Sequence, residues 1–287
     1  MSRAGSGMSN WLRACGVIAG LLLFPVAGGD ADASSTEIAR CIRDPKCHRT
    51  FVVAHRAKGL GAPENSRAAV ARAIVAGVSL VKIDVRASRD GDLFLLHDGR
   101  LYRTTNLTGR IETLSSAELA TARLPNGETL PRFAEVYAIG RGKLVMTIGF
   151  KVDAVERIAA LIDTEGSFDD VIFFINTGEQ MAAAARARKR YPKMMVMVRL
   201  LDSRVTVDST RAVFGGLPEI LHTELVGAKE VSSLHAQGTK VYMDATPLER
   251  YIPPFNYFAI RSLLKTALDF FQTDDPLSAM RRTGHTR

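Results

Sequence analysis

The chain is short of cysteine and tryptophan. Its 287 residues carry three cysteines and one tryptophan, which excludes a disulfide-dense scaffold or a cysteine-rich zinc module. No G-x-G-x-x-G follows the first strand-like run Phe51–Ala54, so a dinucleotide fold would lack its phosphate-binding turn. Beyond residue 33 no apolar run approaches the ~20 residues of a membrane span. No internal repeat or interdomain linker divides the chain. The net charge is +8, but Lys and Arg are spread along the whole length. No stretch reaches the density of a nucleic-acid-binding arm, and no nucleic-acid partner is expected. A mildly basic protein suits a small anionic substrate, or peripheral contact with an anionic membrane.

What is present begins with a leader. Arg3 and Arg13 precede the apolar run Gly16–Ala27, and Ala31-Asp32-Ala33 fits an A-x-A cleavage site. Residues 1–33 therefore read as an export signal, with the mature protein periplasmic or secreted. Residues 34–50 form an N-terminal segment with two cysteines, Cys41 and Cys47. An even count in an exported protein predicts a disulfide. His48 follows Cys47 directly, but ligands so close in sequence match no zinc spacing.

From residue 51 short β-rich runs alternate with helical patterns. Candidate strands are Phe51–Ala54, Leu80–Asp84, Leu93–His97, Leu144–Phe150, Val171–Ile175, Met194–Val198, Glu219–His222, Lys240–Met243 and Asp269–Gln272. Helices are predicted over Ser66–Ala76, Val152–Asp163, Glu179–Arg190 and Ala228–Gln237. In the second of these Val155, Ile158, Ala159 and Ile162 fall on one face. Runs apolar throughout, such as VIFFI and MMVMV, suit parallel strands buried on both sides. About eight βα units over residues 51–280 predict a (β/α)₈ TIM barrel. A doubly wound open sheet is the alternative fold. Residues 281–287 read as a basic tail.

Active residues of such a barrel sit at the C-terminal ends of its strands. Three expected ends carry suitable groups: His55-Arg56, Lys82 and Asp84 on one face by the period of two, and His97-Asp98. Two histidines at neighbouring strand ends suit general acid and general base on opposite sides of a phosphorus. Arg56 would hold a phosphate oxygen. His222, beside Thr223 and Glu224, could reach the barrel mouth. His235 reads as a surface or packing residue, and Asn176 as a mouth residue without a role. The aromatic run Tyr251–Phe258 reads as a hydrophobic lip for a lipid, or as core under a loop.

His55-Arg56 followed by Pro63-Glu64-Asn65-Ser66 resembles the H-R-G…P-E-N-T opening of the glycerophosphodiester phosphodiesterases. Gly77–Asp84, Ser88-Arg89-Asp90-Gly91 and His97-Asp98 resemble that family's G-A-D-x-x-E-x-D…T-K-D-G…H-D stretch. Leu130-Pro131, Phe133–Val136 and Thr273-Asp274-Asp275-Pro276 continue the pattern in family order. The resemblance implies phosphodiester cleavage of a small glycerophosphodiester or a related phospholipid-derived substrate. It implies His55 and His97 as the acid–base pair. Arg56, Lys82 and Lys151 would surround the phosphate, with Glu64 and Asn65 supporting the first loop. It also implies a divalent cation, Mg²⁺ or Ca²⁺.

Departures from the pattern fall on that cation. The family binds it with the Glu and Asp of E-x-D and a later Glu of E-x-K. Here Asp84 remains, Lys82 stands for the first Glu, and Gly149-Phe150-Lys151 stands for E-x-K. One carboxylate beside an ammonium is a poor site for cations that want several oxygens, so Asp84 is a doubtful ligand and no cofactor is expected. Two functional readings follow. Lys82 replaces the metal, paired with Asp84 and with Asp244 as a second residue that could hold it, much as the metal-independent bacterial phosphatidylinositol phospholipases C use an arginine. Alternatively the chain is a catalytically degenerate homologue acting as a periplasmic binding or interaction protein.

Overall fold

A computed structural model describes residues 34–200, 205–224, 227–249 and 266–284. The proposed leader 1–33 and the aromatic run Tyr251–Phe258 lie outside the described residues. Among the described residues no helix is long and apolar enough to cross a membrane.

Among the described residues nine strands form one sheet: β1 Phe51–His55, β2 Leu80–Ala87, β3 Leu93–Leu95, β4 Val145–Phe150, β5 Val171–Ile175, β6 Met195–Arg199, β7 Ile220–Thr223, β8 Lys240–Asp244 and β9 Phe270–Thr273. Eight of them run parallel in the order β1-β2-β4-β5-β6-β7-β8-β9. β9 pairs with β1, and β1 pairs with β2, which closes the sheet into a barrel. That closure rules out the open doubly wound alternative and gives the predicted (β/α)₈ barrel. The strand expected at Leu93–His97 is not a barrel stave. It is shorter and pairs antiparallel with the end of β2, Val85 opposite Leu95.

Alternation along each strand sorts side chains between two cores. Val81, Ile83, Met146, Ile148, Phe173, Val196 and Val241 face the outer helices. Phe51, Val53, Leu80, Val145, Ile172, Met195, Ile220, Tyr242 and Phe270 fill the lower lumen. The period of two then puts His55, Lys82, Asp84, Gly149, Arg199, His222 and Asp244 in the upper lumen. A third, smaller cluster lies between β3 and β4, where Phe94, Leu101, Ile111, Leu119 and Leu130 pack together.

The predicted helices form with shifted ends. They run Arg67–Val75, Val155–Glu165, Gly178–Arg190 and Ala228–Ala236. Ser66 and Thr177 become N-caps, each accepting a backbone N–H three residues on. The expected tail is helical at its start, since Arg281–Thr283 end the helix Pro276–Thr283.

An unanticipated helix, Ser35–Arg43, plugs the barrel floor. Ser34 and Glu37 close a capping box, and Ile38, Ala39 and Ile42 insert under the luminal residues. Ser35 Oγ donates to buried Asp170 at 2.6 Å, and Arg43 pairs with Asp169. Cys41, in the last turn of this helix, is bridged to Cys47 beyond it, with Cα atoms 5.3 Å apart. The bridge holds the turn that carries the chain from this helix into β1. Neither cysteine should react when denatured, unreduced protein is titrated with a thiol reagent. Reduction should cost about 2–3 kcal/mol by the loop-entropy argument, read as a lowered denaturant midpoint. Labelling of either residue without reductant would reject the bridge.

Candidate active site

Asp84 occupies the centre of the barrel mouth and is fully buried. Its Oδ1 lies 2.7 Å from Lys82 Nζ and 3.6 Å from Lys151 Nζ. Asn65 braces it from the first loop, accepting Asp84 N–H at 3.0 Å and donating to Oδ2 at 3.4 Å. Arg56 Nε stands 3.7 Å from Oδ2. Burial pushes the Asp84 carboxyl up, but the Lys82 and Lys151 ammonium groups outweigh it and hold it well below the carboxylate range. Lys151 is itself lowered, chiefly by burial, with Asp84 opposing. Lys82 does not pair with Asp244, contrary to the sequence expectation. Asp244 instead accepts from the backbone and hydroxyl of Thr246, at 2.9 and 2.7 Å.

The register explains why Lys82 could enter. Asp84 is paired across the sheet with Gly149 on β4. A Cβ at 149 would meet Asp84 Oδ1 at 2.9 Å and Lys82 Nζ at 3.3 Å. The Asp84 carboxylate and the tip of Lys82 together crowd the point from which a side chain at 149 would emerge.

Both histidines reach this mouth by different routes. His55 ends β1 and opposes Lys82 in the register. Its Nδ1 lies 2.8 Å from Asp274 Oδ1, and Lys58 holds the other oxygen at 2.8 Å. Arg56 Nε donates to His55 Nε2 at 3.2 Å. This arrangement puts the ring proton on Nδ1, donating to Asp274, and leaves Nε2 accepting from Arg56. His97 lies beyond β3 rather than at a barrel-strand end. The hairpin turns it back: Leu96 N–H donates to Asp84 O, and Arg86 Nε donates to His97 O, both at 3.0 Å. His97 Nδ1 lies 2.7 Å from Asp98 Oδ1. Burial lowers its pKa below the ordinary histidine value, the Asp98 bond partly opposing.

Charges of alternating sign join the two rings. Asp98 pairs with Arg103, Arg103 with Glu64 at 2.7 Å, and Glu64 with Arg56 at 3.1 Å. Burial raises Asp98 and Glu64, but their arginines prevail, and Asp98 settles at about 2. Burial likewise raises Asp274, and the bonds from His55 and Lys58 bring it down. The first loop is strained where it serves this ring. Arg56, Ala57 and Asn65 have φ of +56°, +52° and +54°, conformations that L-residues other than Asn adopt at a cost.

Arg103, Lys58 and Arg199 were not singled out from the sequence. Arg199 had a signal, since it continues the luminal positions Met195 and Met197 by the period of two. Arg103 and Lys58 sit on irregular segments with no such pattern. Asn176 is bound locally, its N–H donating to Gln180 Oε1 at 2.9 Å.

His222 is luminal, as expected, but almost wholly buried. Its ring packs 5.2 Å from Phe174 and 5.1 Å from Tyr242. Neither nitrogen has a hydrogen-bond partner among the described residues. It walls a cavity of about 280 Å³ shared with Arg199, Glu224, Met243 and Asp244. Burial, with Arg199 adding, pushes its pKa down to about 3.

The family model described as the glycerophosphoryl diester phosphodiesterase family matches residues 55–277. A glycerophosphodiester phosphodiesterase of Caldanaerobacter subterraneus is 34% identical over 98 residues, which is 32% of this chain and 40% of that protein. An alignment with a Mycobacterium tuberculosis relative, 44% identical over 69 residues, spans 25% of its length. The chain therefore matches well under two thirds of these relatives. A glycerophosphoryl diester phosphodiesterase structure from Parabacteroides distasonis superposes with a TM-score of 0.72 at 19% identity, covering 88% of this chain and 92% of that one. A phosphodiesterase from Oleispira antarctica, solved with the product sn-glycerol-3-phosphate, superposes at 0.64 with 23% identity, covering 83% and 98%. At these identities the likeness is one of fold.

His222 generates a stability prediction. Its folded pKa lies below its unfolded value of ~6.5, so the unfolded chain binds the extra proton first. Stability is then complete above pH 6.5 and falls as pH drops from there toward 3. The loss should approach 1.4 kcal/mol per pH unit at most. His222→Phe, which keeps an aromatic ring in the same packing, should flatten the fall in melting temperature between pH 6.5 and 4. An unchanged slope would show that His222 is not the group that charges.

Proposed function

The chain belongs to the glycerophosphoryl diester phosphodiesterase family, and on that premise we propose that it is an exported hydrolase cleaving a small glycerophosphodiester or related phospholipid-derived diester without a divalent cation. The observation that carries the metal-free reading is the Lys82–Asp84 pair at 2.7 Å. The family's cation would need several oxygens at this point. Among the described residues Asp84 is the one carboxylate at this point, with two ammonium groups within 3.6 Å and no side chain at 149. Asn65 Oδ1 is already taken by Asp84 N–H. That donor set does not fit Mg²⁺ or Ca²⁺.

In this reading the substrate phosphate sits against Arg56, Lys82 and Lys151. Their fixed charges offset the negative charge that builds on the phosphoryl oxygens. His55 Nε2 takes the proton of the attacking oxygen, from water or from an adjacent substrate hydroxyl, once the phosphate draws Arg56 away from it. That oxygen bonds to phosphorus as the bond to the leaving alkoxide breaks. His97 gives its proton to the alkoxide, releasing an alcohol. Asp274 and Asp98 hold the two rings by Nδ1 and keep each Nε2 turned to its task. The Cys41–Cys47 bridge supports export, because such bonds persist in oxidising compartments.

Turnover of a phosphodiester panel should survive chelator and be abolished in Lys82→Met. Gly149→Glu alone should destabilise the fold by about 1–3 kcal/mol through overpacking against Asp84. The pair Lys82→Glu with Gly149→Glu brings three carboxylates to one point, and should make activity depend on a divalent cation. Wild-type activity that disappears with chelator overturns the metal-free reading. Activity absent under every condition, with Lys82-dependent binding of a phosphodiester, would make the protein a binding homologue instead.

The acid role of His97 has its own test. Burial holds its pKa below 6.5 in the free enzyme, and only the protonated form can donate. The limb of kcat/KM that falls with rising pH should therefore lie below pH 6.5. His97→Ala should erase it and lower the rate by roughly 10²–10⁴-fold. A limb at or above 6.5, or a full rate in the variant, would remove His97 from that role.

A further inference from the structure

The floor of the barrel carries a second cluster of titratable groups. Three strand-entry segments converge there. His48 lies three residues before β1, Asp269 one residue before β9, and His235 near the end of the helix leading to β8. One ligand atom from each lies within 4.8 Å of the others. These are the N-terminal ends of the strands, on the order of 15 Å below the mouth at ~3.3 Å per residue. The cluster is thus separate from Asp84 and from anything the phosphodiester reading uses.

We propose that His48, His235 and Asp269 bind one zinc ion, with a fourth position open to water. The donor set is two imidazole nitrogens and one carboxylate oxygen, which zinc accepts at about 2.0–2.2 Å. The ring spacing fits. Two imidazoles on one tetrahedral zinc have centroids about 5 Å apart, and those of His48 and His235 stand 5.3 Å apart. His235 Nε2 and Asp269 Oδ2 are joined by a 2.7 Å hydrogen bond. Zinc would replace the shared proton and part the two atoms to about 3.3 Å, the tetrahedral edge. Asp269 Oδ2 also accepts Val241 N–H at 2.8 Å, which orients the carboxylate as ligands are commonly oriented.

His48 supplies access and the geometry of closure. It is exposed, so an ion can arrive from solvent. It also follows the Cys41–Cys47 bridge directly, so the disulfide limits how far its ring can swing. Lys240 sets the strength. Its ammonium stands 3.7 Å from Asp269 Oδ1 and bonds to Cys47 O. A cation so near a dication lowers affinity, which places binding in the micromolar range rather than that of closed four-ligand sites. A bound ion would fasten the segment of residues 34–50 to the helix before β8 and to the entry of β9.

The test is a zinc titration of the disulfide-bonded, chelator-stripped protein near pH 7.5, followed by calorimetry and by melting temperature. One ion per chain should bind with micromolar affinity and raise the melting temperature. In His48→Ala, whose site is exposed and whose circular dichroism should match wild type, affinity should fall at least tenfold and the thermal shift should vanish. Cobalt should report a tetrahedral visible spectrum in wild type only. Binding too weak to detect at 100-fold excess over protein would overturn the proposal. So would zinc binding that His48→Ala leaves unchanged, which would assign the ion to other histidines. Neither result bears on the phosphodiester reading, because the assay uses no substrate and no mouth residue.

Discussion

A carboxylate taken wholly out of water must be neutralised and hydrogen-bonded, and Asp84 imposes that demand on everything around it. Lys82 and Lys151 supply the charge, and Asn65 supplies the bonds. The demand reaches backward along the chain, since Asn65 must take a left-handed backbone to deliver its amide. It also reaches across the sheet, because a Cβ at 149 would meet Asp84 Oδ1 at 2.9 Å and the tip of Lys82 at 3.3 Å. A side chain at 149 would therefore have to displace the Lys82–Asp84 pair.

The fold was legible because closed parallel barrels advertise themselves by apolar runs at regular spacing. Most strand ends moved by a residue or two, as fraying and caps dictate, while β2 runs on three residues to Ala87 to pair with β3. Lys82 and Asp84 were readable as lumen partners from the period of two alone. His97 was not correctly placed by pattern: LFLLH reads as a stave, and only the antiparallel pairing of Leu93–Leu95 shows that the chain doubles back. The helix Ser35–Arg43 was missed although its signals were present, Ile38, Ala39 and Ile42 on one helical face and the Ser34–Glu37 capping box. The partnership of Lys82 with Asp244 failed for a local reason. A threonine two residues on satisfies Asp244 at short range, and local side-chain bonds to nearby backbone compete well with distant partners.

The mouth is also a connected electrostatic object. Its alternating chain runs from Lys58 through Asp274, His55, Arg56, Glu64, Arg103 and Asp98 to His97. A proton gained at one ring is felt along this chain. A change at Arg103 therefore reaches both rings through their partners without touching either reacting atom. Part of the chain comes from the loop between β3 and β4, whose small core holds Arg103 over the barrel.

Barrel closure has a temporal consequence. β1 finds one neighbour, β2, early in the chain, but its other neighbour is β9, and Phe51 pairs with Phe270. A chain emerging from its N-terminus carries an exposed β1 edge until its last strand is made. Such an edge is a ready template for another chain, and long-range parallel pairing is slow to form. Truncation before residue 270 would therefore leave an aggregating sheet rather than a smaller barrel, and rapid recruitment of the final strand sets how much of the newly made protein reaches the native state.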